Sequence, residues 1–266
     1  MKIGIIGSGN MGTAILGGIV KSGLVAPGEV IVSNRTQPKL DRVRADYGVN
    51  TTLDAKEVVL NSDIVIVAVK PHIYDSVLTE VRELIDSDKI IVNIAAGKTI
   101  ESIEAVIGDD KKIVRTMPNT PALVGEGMTA ICPNRNINEE DLEKAISVFE
   151  SFGKAEVVSE SMIDAVIGAS GSSPAYVFMF IEAIADAVVI HGMPRDKAYK
   201  FVAQAVLGSA KMVLETGKHP GELKDMVCSP SGTTIEAVRA LEEAGMRGAV
   251  IKGVNACIEK SIEMSK

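Results

Sequence analysis

The sequence predicts an α/β protein in two parts, a mostly parallel sheet covered by helices on both faces and then an all-helical C-terminal domain. Three observations predict it. A buried strand, Lys2-Ile3-Gly4-Ile5-Ile6, runs straight into a glycine-rich turn and an apolar helix. Apolar β-type runs at 64–69, 90–94, 113–115 and 128–132 alternate with helical segments, which is the pattern of a parallel sheet. From Ser159 onward strand signals vanish, so the boundary falls between a domain at 1–158 and one at 159–266.

Gly7, Gly9 and Gly12 form G-x-G-x-x-G between that first strand and the helix opening at Ala14-Ile15-Leu16. The first glycine allows the tight turn, the second lets backbone approach a pyrophosphate, and the third lets helix and strand pack closely. Unsatisfied N–H groups and the positive end of the helix dipole then face the anion. Gly7, Ser8, Gly9, Asn10, Met11 and Gly12 are thus the candidate cradle of a dinucleotide in a Rossmann-type domain.

The next strand, Val30-Ile31-Val32, ends about 20 residues on, where a dinucleotide's adenosine ribose is read. An NAD enzyme usually places Asp or Glu there, whereas this chain has Ser33-Asn34-Arg35. No acid repels a 2′-phosphate, and the guanidinium of Arg35 can pair with one or stack on adenine, so NADPH is favoured over NADH. The other reading makes Arg35 a solvated loop charge.

Ligands of such sheets collect beyond the strand C-termini. The turns expected there are Ala68-Val69-Lys70-Pro71, Ala95-Ala96-Gly97-Lys98 and Met117-Pro118-Asn119-Thr120-Pro121, small and proline-rich, so that a cofactor can lie close to rigid backbone. Lys70, Lys98 and Asn119 are their polar candidates. Each lysine alone reads more simply as solvated.

The net charge of −7 argues against a general nucleic-acid binder. Cys132, Cys228 and Cys257 are too widely spaced for a metal site or a disulfide framework, which fits a reducing cytoplasm. The apolar run Ile3 to Ile6 is far too short for the core of a secretion signal, so a cytosolic protein is expected. The uncharged stretch 165–181 falls short of the roughly 20 residues that span a bilayer and contains Gly168, Gly171 and Pro174. A helix apolar on every face is buried on every face, so this one predicts an oligomer core rather than a membrane anchor.

A capped helix is expected at 139–152, then a short closing strand at 155–158. In the helical half, Pro194 and Gly217 bracket one helix and Pro220 opens another. Thr233 and Glu236 match a capping box, so the loop Val227-Cys228-Ser229-Pro230-Ser231-Gly232 feeds a helix start. That start is either a second anion site, sized for one carboxylate, or an ordinary capped turn.

The run 218–225 followed by Ser229-Pro230-Ser231-Gly232-Thr233-Thr234 closely resembles the signature of pyrroline-5-carboxylate reductase. Matches at 6–12, 68–71, 115–121 and 170–176 spread the resemblance over the whole chain. The resemblance implies reduction of the cyclic imine 1-pyrroline-5-carboxylate to L-proline by NADPH or NADH, the last step of proline biosynthesis. It also implies a C-terminal domain that dimerises, with a larger ring, a decamer of dimers, beyond the homodimer. Thr234 is then expected to hydrogen-bond the ring nitrogen, with Val227, Ser229, Gly232, Thr233 and Thr234 around the substrate carboxylate. No metal site is expected.

The chemistry fits what the chain lacks. Reducing a ketone calls for a general acid, whereas a protonated imine accepts hydride and leaves an amine. His72, His191 and His219 all sit at turns or helix ends and read as caps or surface residues. A β-hydroxyacid dehydrogenase would place a catalytic lysine on the helix at 162–190, which has none; a nonenzymatic nucleotide sensor would need no second anion pocket. Two positions depart from the resembled pattern, Ser173 and Ser231, each where the family carries glycine. Serine is costly at either if the backbone there is left-handed.

Overall fold

In the computed structural model, which describes residues 1–264, eight strands form one sheet: β1 (Ile3–Ile6), β2 (Val30–Ser33), β3 (Asn50–Thr52), β4 (Ile64–Val67), β5 (Ile90–Asn93), β6 (Lys112–Met117), β7 (Gly127–Pro133) and β8 (Gly153–Val157). Their order is β3-β2-β1-β4-β5-β6-β7-β8. Every pairing is parallel except β6 with β7. The chain leaves β1 toward β2 and β3, then returns to the other side of β1 at β4, so the reversal of strand order lies between β1 and β4. This is where such sheets bind ligands.

The crossovers are α1 (Asn10–Ser22), α2 (Gln37–Tyr47), α3 (Ala55–Leu60), α4 (Pro71–Val81), α5 (Ile100–Ile107) and α6 (Glu139–Glu150). Alternation along the strands divides the core. Ile3, Ile5, Val30, Val32, Ile64, Ile66 and Val92 pack with Ile15, Leu16 and Ile19 of α1 and with Val148 and Phe149 of α6. Ile6, Val65, Val67, Ile91 and Ile113 pack on the opposite face with Val58, Tyr74, Leu78 and Ile103. Strands covered on both faces read as continuous apolar runs, which is why the sequence exposed them.

Helix α6 opens as expected, with Asn138 Oδ1 accepting from the Asp141 amide at 2.9 Å, but it ends at Glu150 rather than residue 152. Phe152 is core, and a Cβ on Gly18 of α1 would stand 2.3 Å from the Phe152 Cβ. The last strand begins two residues earlier than expected, at Gly153.

Beyond β8 come α7 (Ile163–Val166), a π-turn over Ile167–Gly171, α8 (Ser173–Ile190), α9 (Arg195–Thr216), α10 (Pro220–Val227), α11 (Thr233–Glu243) and α12 (Met246–Met264). The chain divides into two compact units, one of Met1–Ser172 with the described residues from Cys257 onward, the other of Ser173–Ala256. Within the first, Ser261 on α12 donates to Asp164 Oδ1 at 2.6 Å. Within the second, α8 and α9 pair through Ala185, Ala198 and Val202.

The second unit leaves much apolar surface uncovered. Phe178 is 63% exposed, Met179 68% and Phe201 67%, and α8 and α9 line a groove of about 810 Å³ with Phe180, Ile184, Phe201 and Val206. The helical stretch Glu160–Ile190 spans 31 residues, longer than its uncharged part, and by length and composition is long and apolar enough to cross a membrane. Glu160, Asp164, Glu182 and Asp186 punctuate it.

Candidate active site

The glycine turn has the geometry its three positions require. Gly7 sits at φ +106°, and a Cβ there would meet the Ala68 carbonyl oxygen at 2.6 Å. A Cβ on Gly12 would lie 2.2 Å from the Gly7 carbonyl oxygen and 3.2 Å from the Ala68 Cβ, so only glycine lets α1 start this close to the strands. Gly9 differs: nothing lies within 4 Å of its missing Cβ, and it is exposed. Space left empty at the middle glycine of the turn is what an approaching pyrophosphate needs. The first intrahelical bond of α1 runs from Thr13 N–H to Gly9 C=O at 2.8 Å, so the amides of Asn10, Met11 and Gly12 have no intrahelical partner.

Neighbouring strand ends lock this turn. Gly7 N–H donates to Ser33 C=O and Ala68 N–H to Ile6 C=O, both at 2.8 Å. Asn34 Nδ2 donates to the Ser8 hydroxyl at 2.8 Å, and Asn34 Oδ1 accepts from the Thr36 amide at 3.2 Å. Arg35 is exposed and has no acidic partner among the described residues, so its guanidinium is available to an anion. The stretch Ala68-Val69-Lys70-Pro71 carries β4 into α4, with Lys70 exposed at the helix cap position.

A residue the sequence reading passed over shapes the third turn. Asn93, fully buried at the end of β5, accepts from the Ala95 amide at 2.8 Å and donates to Lys98 C=O at 3.0 Å, curling Ala95-Ala96-Gly97 over itself. Gly97 is left-handed, φ +76°, and a Cβ there would stand 3.0 Å from the Met264 carbonyl oxygen. Lys98 is occupied by Asp75 at 2.7 Å. Asn119 is buried, donating to Ser170 C=O at 3.0 Å and accepting from the Met128 amide at 2.9 Å. Both ends of its side-chain amide therefore hold protein together.

The Ser229–Thr234 loop lies in the second unit. Its capping box does not form: the cap of α11 is Gly232, with no side-chain hydrogen bond, Thr233 is the first helical residue, and Glu236 pairs with Arg239 at 3.0 Å. The reason is the turn before it. Gly232 N–H donates to Ser229 C=O at 3.0 Å, and the Ser229 hydroxyl would lie 2.4 Å from any Cβ on Gly232. With Gly232 N–H used in the turn, the amides of Thr233, Thr234 and Ile235 precede the first bond of α11, from Glu236 to Gly232 C=O at 3.5 Å, and are open to an anion. Ile235, which the sequence reading did not name, adds a backbone amide to this group. Val227 ends α10 and is 63% exposed.

Set beside known proteins, residues 2–97 match the family model described as NADP oxidoreductase, coenzyme F420-dependent, and residues 160–264 match that described as pyrroline-5-carboxylate reductase dimerisation. Over 265 residues the chain is 56% identical to the pyrroline-5-carboxylate reductase of Escherichia coli (strain K12), covering 100% of this chain and 98% of that one. The chain belongs to the pyrroline-5-carboxylate reductase family. A relative from Methanosarcina acetivorans is 45% identical with the same coverage. Among solved structures, the pyrroline-5-carboxylate reductase of Coxiella burnetii aligns with a TM-score of 0.93 at 35% identity, over 100% of this chain and 98% of that one. The Plasmodium falciparum pyrroline carboxylate reductase with NADP bound aligns with a TM-score of 0.91 at 33% identity and the same coverage.

As a reductase of this family the chain is an NAD(P)H-dependent enzyme, and its glycine turn fits the dinucleotide on its own geometry: an open Gly9, three unpartnered helix amides and a free Arg35. His219 Nδ1 accepts from the Gly221 amide at 3.0 Å and caps α10, and the His191 amide donates to Val188 C=O in the turn after α8. Among the described residues no cluster of His, Cys, Asp or Glu could hold a metal.

Proposed function

We propose that this reductase converts 1-pyrroline-5-carboxylate to L-proline with NADPH as the preferred donor and NADH as an alternative, as the last step of proline biosynthesis in the cytoplasm. The observation that carries the site assignment is the unpartnered start of α11. There the amides of Thr233 and Thr234 and the hydroxyls of Ser229, Thr233 and Thr234 make no hydrogen bond among the described residues, a donor set matched to one carboxylate. In that arrangement Val227, Ser229, Gly232 and Thr233 surround the carboxylate, and the Thr234 hydroxyl accepts from the N–H of the protonated ring imine.

A bound dinucleotide would supply hydride to the imine carbon, C2 of the pyrroline ring and C5 of the proline product, with the C=N electron pair moving onto nitrogen. What remains for this chain's residues is to hold the two reactants in register and to support charge. Gly7–Gly12 carry the pyrophosphate on backbone amides, and Ser33, Asn34 and Arg35 take the adenosine end, with Arg35 on the 2′-phosphate. Ala68, Val69, Lys70, Pro71, Ala95, Ala96, Gly97 and Asn119 line the path toward the nicotinamide. No proton donor is needed at the reacting carbon, in keeping with histidines spent on caps and turns.

The functional boundary follows the change of chemistry, with 1–158 binding dinucleotide and 159–266 binding substrate and partner. The apolar faces of α8 and α9 meet a second copy of the chain, giving a homodimer and, at the next level, a larger ring of dimers. This also gives the Glu160–Ile190 surface a protein partner instead of a lipid one.

A single assay at saturating cofactor tests the activity: NADPH oxidation followed with pyrroline-5-carboxylate and, separately, NADP⁺ reduction followed with a panel of β-hydroxyacids. Turnover with the imine alone is expected; turnover with a hydroxyacid and none with the imine would overturn the reading.

A further inference from the structure

Among the described residues, Ser231 is the one non-glycine residue with positive φ, at +58°. It occupies the third position of the turn Ser229-Pro230-Ser231-Gly232, which the Gly232 amide closes on Ser229 C=O at 3.0 Å. Proline fixes φ near −65° at the second position. A negative φ followed by a positive one, closed in this way, defines a type II turn, whose third position favours glycine. With any residue bearing a Cβ there, the same four residues lean toward the type I form, reached by flipping the single peptide between Pro230 and Ser231. The bias against the left-handed form is about five- to thirty-fold for ordinary L-residues, and asparagine tolerates it better than most.

The two forms differ in what precedes α11. The peptide that flips lies one residue before Gly232, the cap of α11, and the flip carries the Pro230 carbonyl and the Ser231 amide to opposite faces of the turn. Ser231 itself is exposed, so no buried contact holds its side chain in place. Resting on the reading that Ser229–Thr234 holds the substrate carboxylate, we infer that Ser231 is a positioning residue for substrate affinity. Its backbone sets the fraction of enzyme whose turn holds the Pro230–Ser231 peptide in the binding form. Apparent affinity falls in proportion to that fraction, while the rate of the bound complex does not.

The test is steady-state kinetics of S231G, S231N and S231A at saturating NADPH, with L-proline as product inhibitor, since it carries the same carboxylate. Glycine removes the bias, so KM for pyrroline-5-carboxylate and Ki for L-proline should both fall about fivefold in S231G, with kcat within about twofold. S231N should fall between S231G and the parent, whereas S231A keeps the Cβ and gains no affinity. An unchanged KM in S231G, or a fall in S231A equal to that in S231G, overturns the inference. T233V separates it from the reading beneath it. If T233V raises KM and Ki while S231G moves neither, the loop holds the carboxylate and Ser231 does not tune it. If T233V moves neither constant, the loop is not the carboxylate site and both fall.

Discussion

Asn34 Nδ2 donates to the Ser8 hydroxyl at 2.8 Å, so the end of β2 and the glycine turn move as one body. The bond places the exposed side chain of Arg35 immediately beside the fixed Asn34. Pre-fixing the backbone on both sides lets a single guanidinium recognise phosphate without an ordering cost in the loop.

Arg35→Ala should therefore act selectively. A charge-assisted hydrogen bond to phosphate contributes about 1.5–3 kcal/mol, so kcat/KM with NADPH should fall roughly ten- to hundredfold while that with NADH stays within about twofold. Side-by-side kinetics of the two cofactors check it. Equal losses would mean that Arg35 stacks on adenine or supports the fold.

The glycines of the turn should separate into two kinds. Gly12→Ala drives a Cβ to 2.2 Å from the Gly7 carbonyl oxygen and should lower the melting temperature by several degrees. Gly9→Ala meets nothing within 4 Å and has ordinary extended dihedrals, φ −78° and ψ −173°, so the fold should melt as the parent does. Its NADPH affinity should nonetheless drop at least about tenfold, because the methyl group occupies the pyrophosphate's approach. Thermal unfolding with fluorescence titration of NADPH reads both; normal binding by Gly9→Ala would contradict the assigned role.

Arg115, with only 5% of its side chain exposed, pairs with Glu160 at 2.7 Å, and the same carboxylate oxygen accepts from the Ile100 amide at the start of α5 at 2.8 Å. Glu160→Gln leaves a buried guanidinium without its counter-charge and weakens that helix start. Because Glu160 is 34% exposed, the expected loss lies below that of a fully buried pair, about 2–3 kcal/mol by denaturant unfolding. A loss under about 0.5 kcal/mol would class the pair with surface ion pairs.

Burial pushes the Cys132 thiol up to about 11, Arg115 opposing and Glu160 adding to the shift. The folded value lies above the unfolded one, so the stability this thiol contributes is complete below about pH 9 and is lost as pH rises toward 11. At pH 8 it should resist iodoacetamide while Cys228 and Cys257, both partly exposed, react first, as peptide mapping after timed labelling can show. Labelling of Cys132 at the rate of the denatured chain would contradict the buried placement.

The parallel core was legible in the sequence because strands covered on both faces must be apolar throughout, as Ile64-Val65-Ile66-Val67 is. The β3 strand was not, since Asn50-Thr51-Thr52 lies at the sheet edge and buries no apolar run. The glycine turn could be read residue by residue because each glycine answers a separate steric demand. The α11 start could not: Thr233 and Glu236 have capping-box spacing, yet the preceding turn gives the cap to Gly232, and spacing carries no record of that competition. Asn93 was missed because its work is done on the backbone of its own loop, which no motif marks.

The central claim is that the α11 amides hold the substrate carboxylate against the nicotinamide, and a crystal structure of the enzyme with NADP⁺ and L-proline tests it most directly. The account predicts the proline carboxylate on the amides of Thr233 and Thr234, its ring nitrogen within hydrogen-bond reach of the Thr234 hydroxyl, and its C5 about 3–3.5 Å from the nicotinamide C4. Proline bound elsewhere, with the Ser229–Thr234 turn beyond hydride reach of the nicotinamide in every subunit, would contradict it.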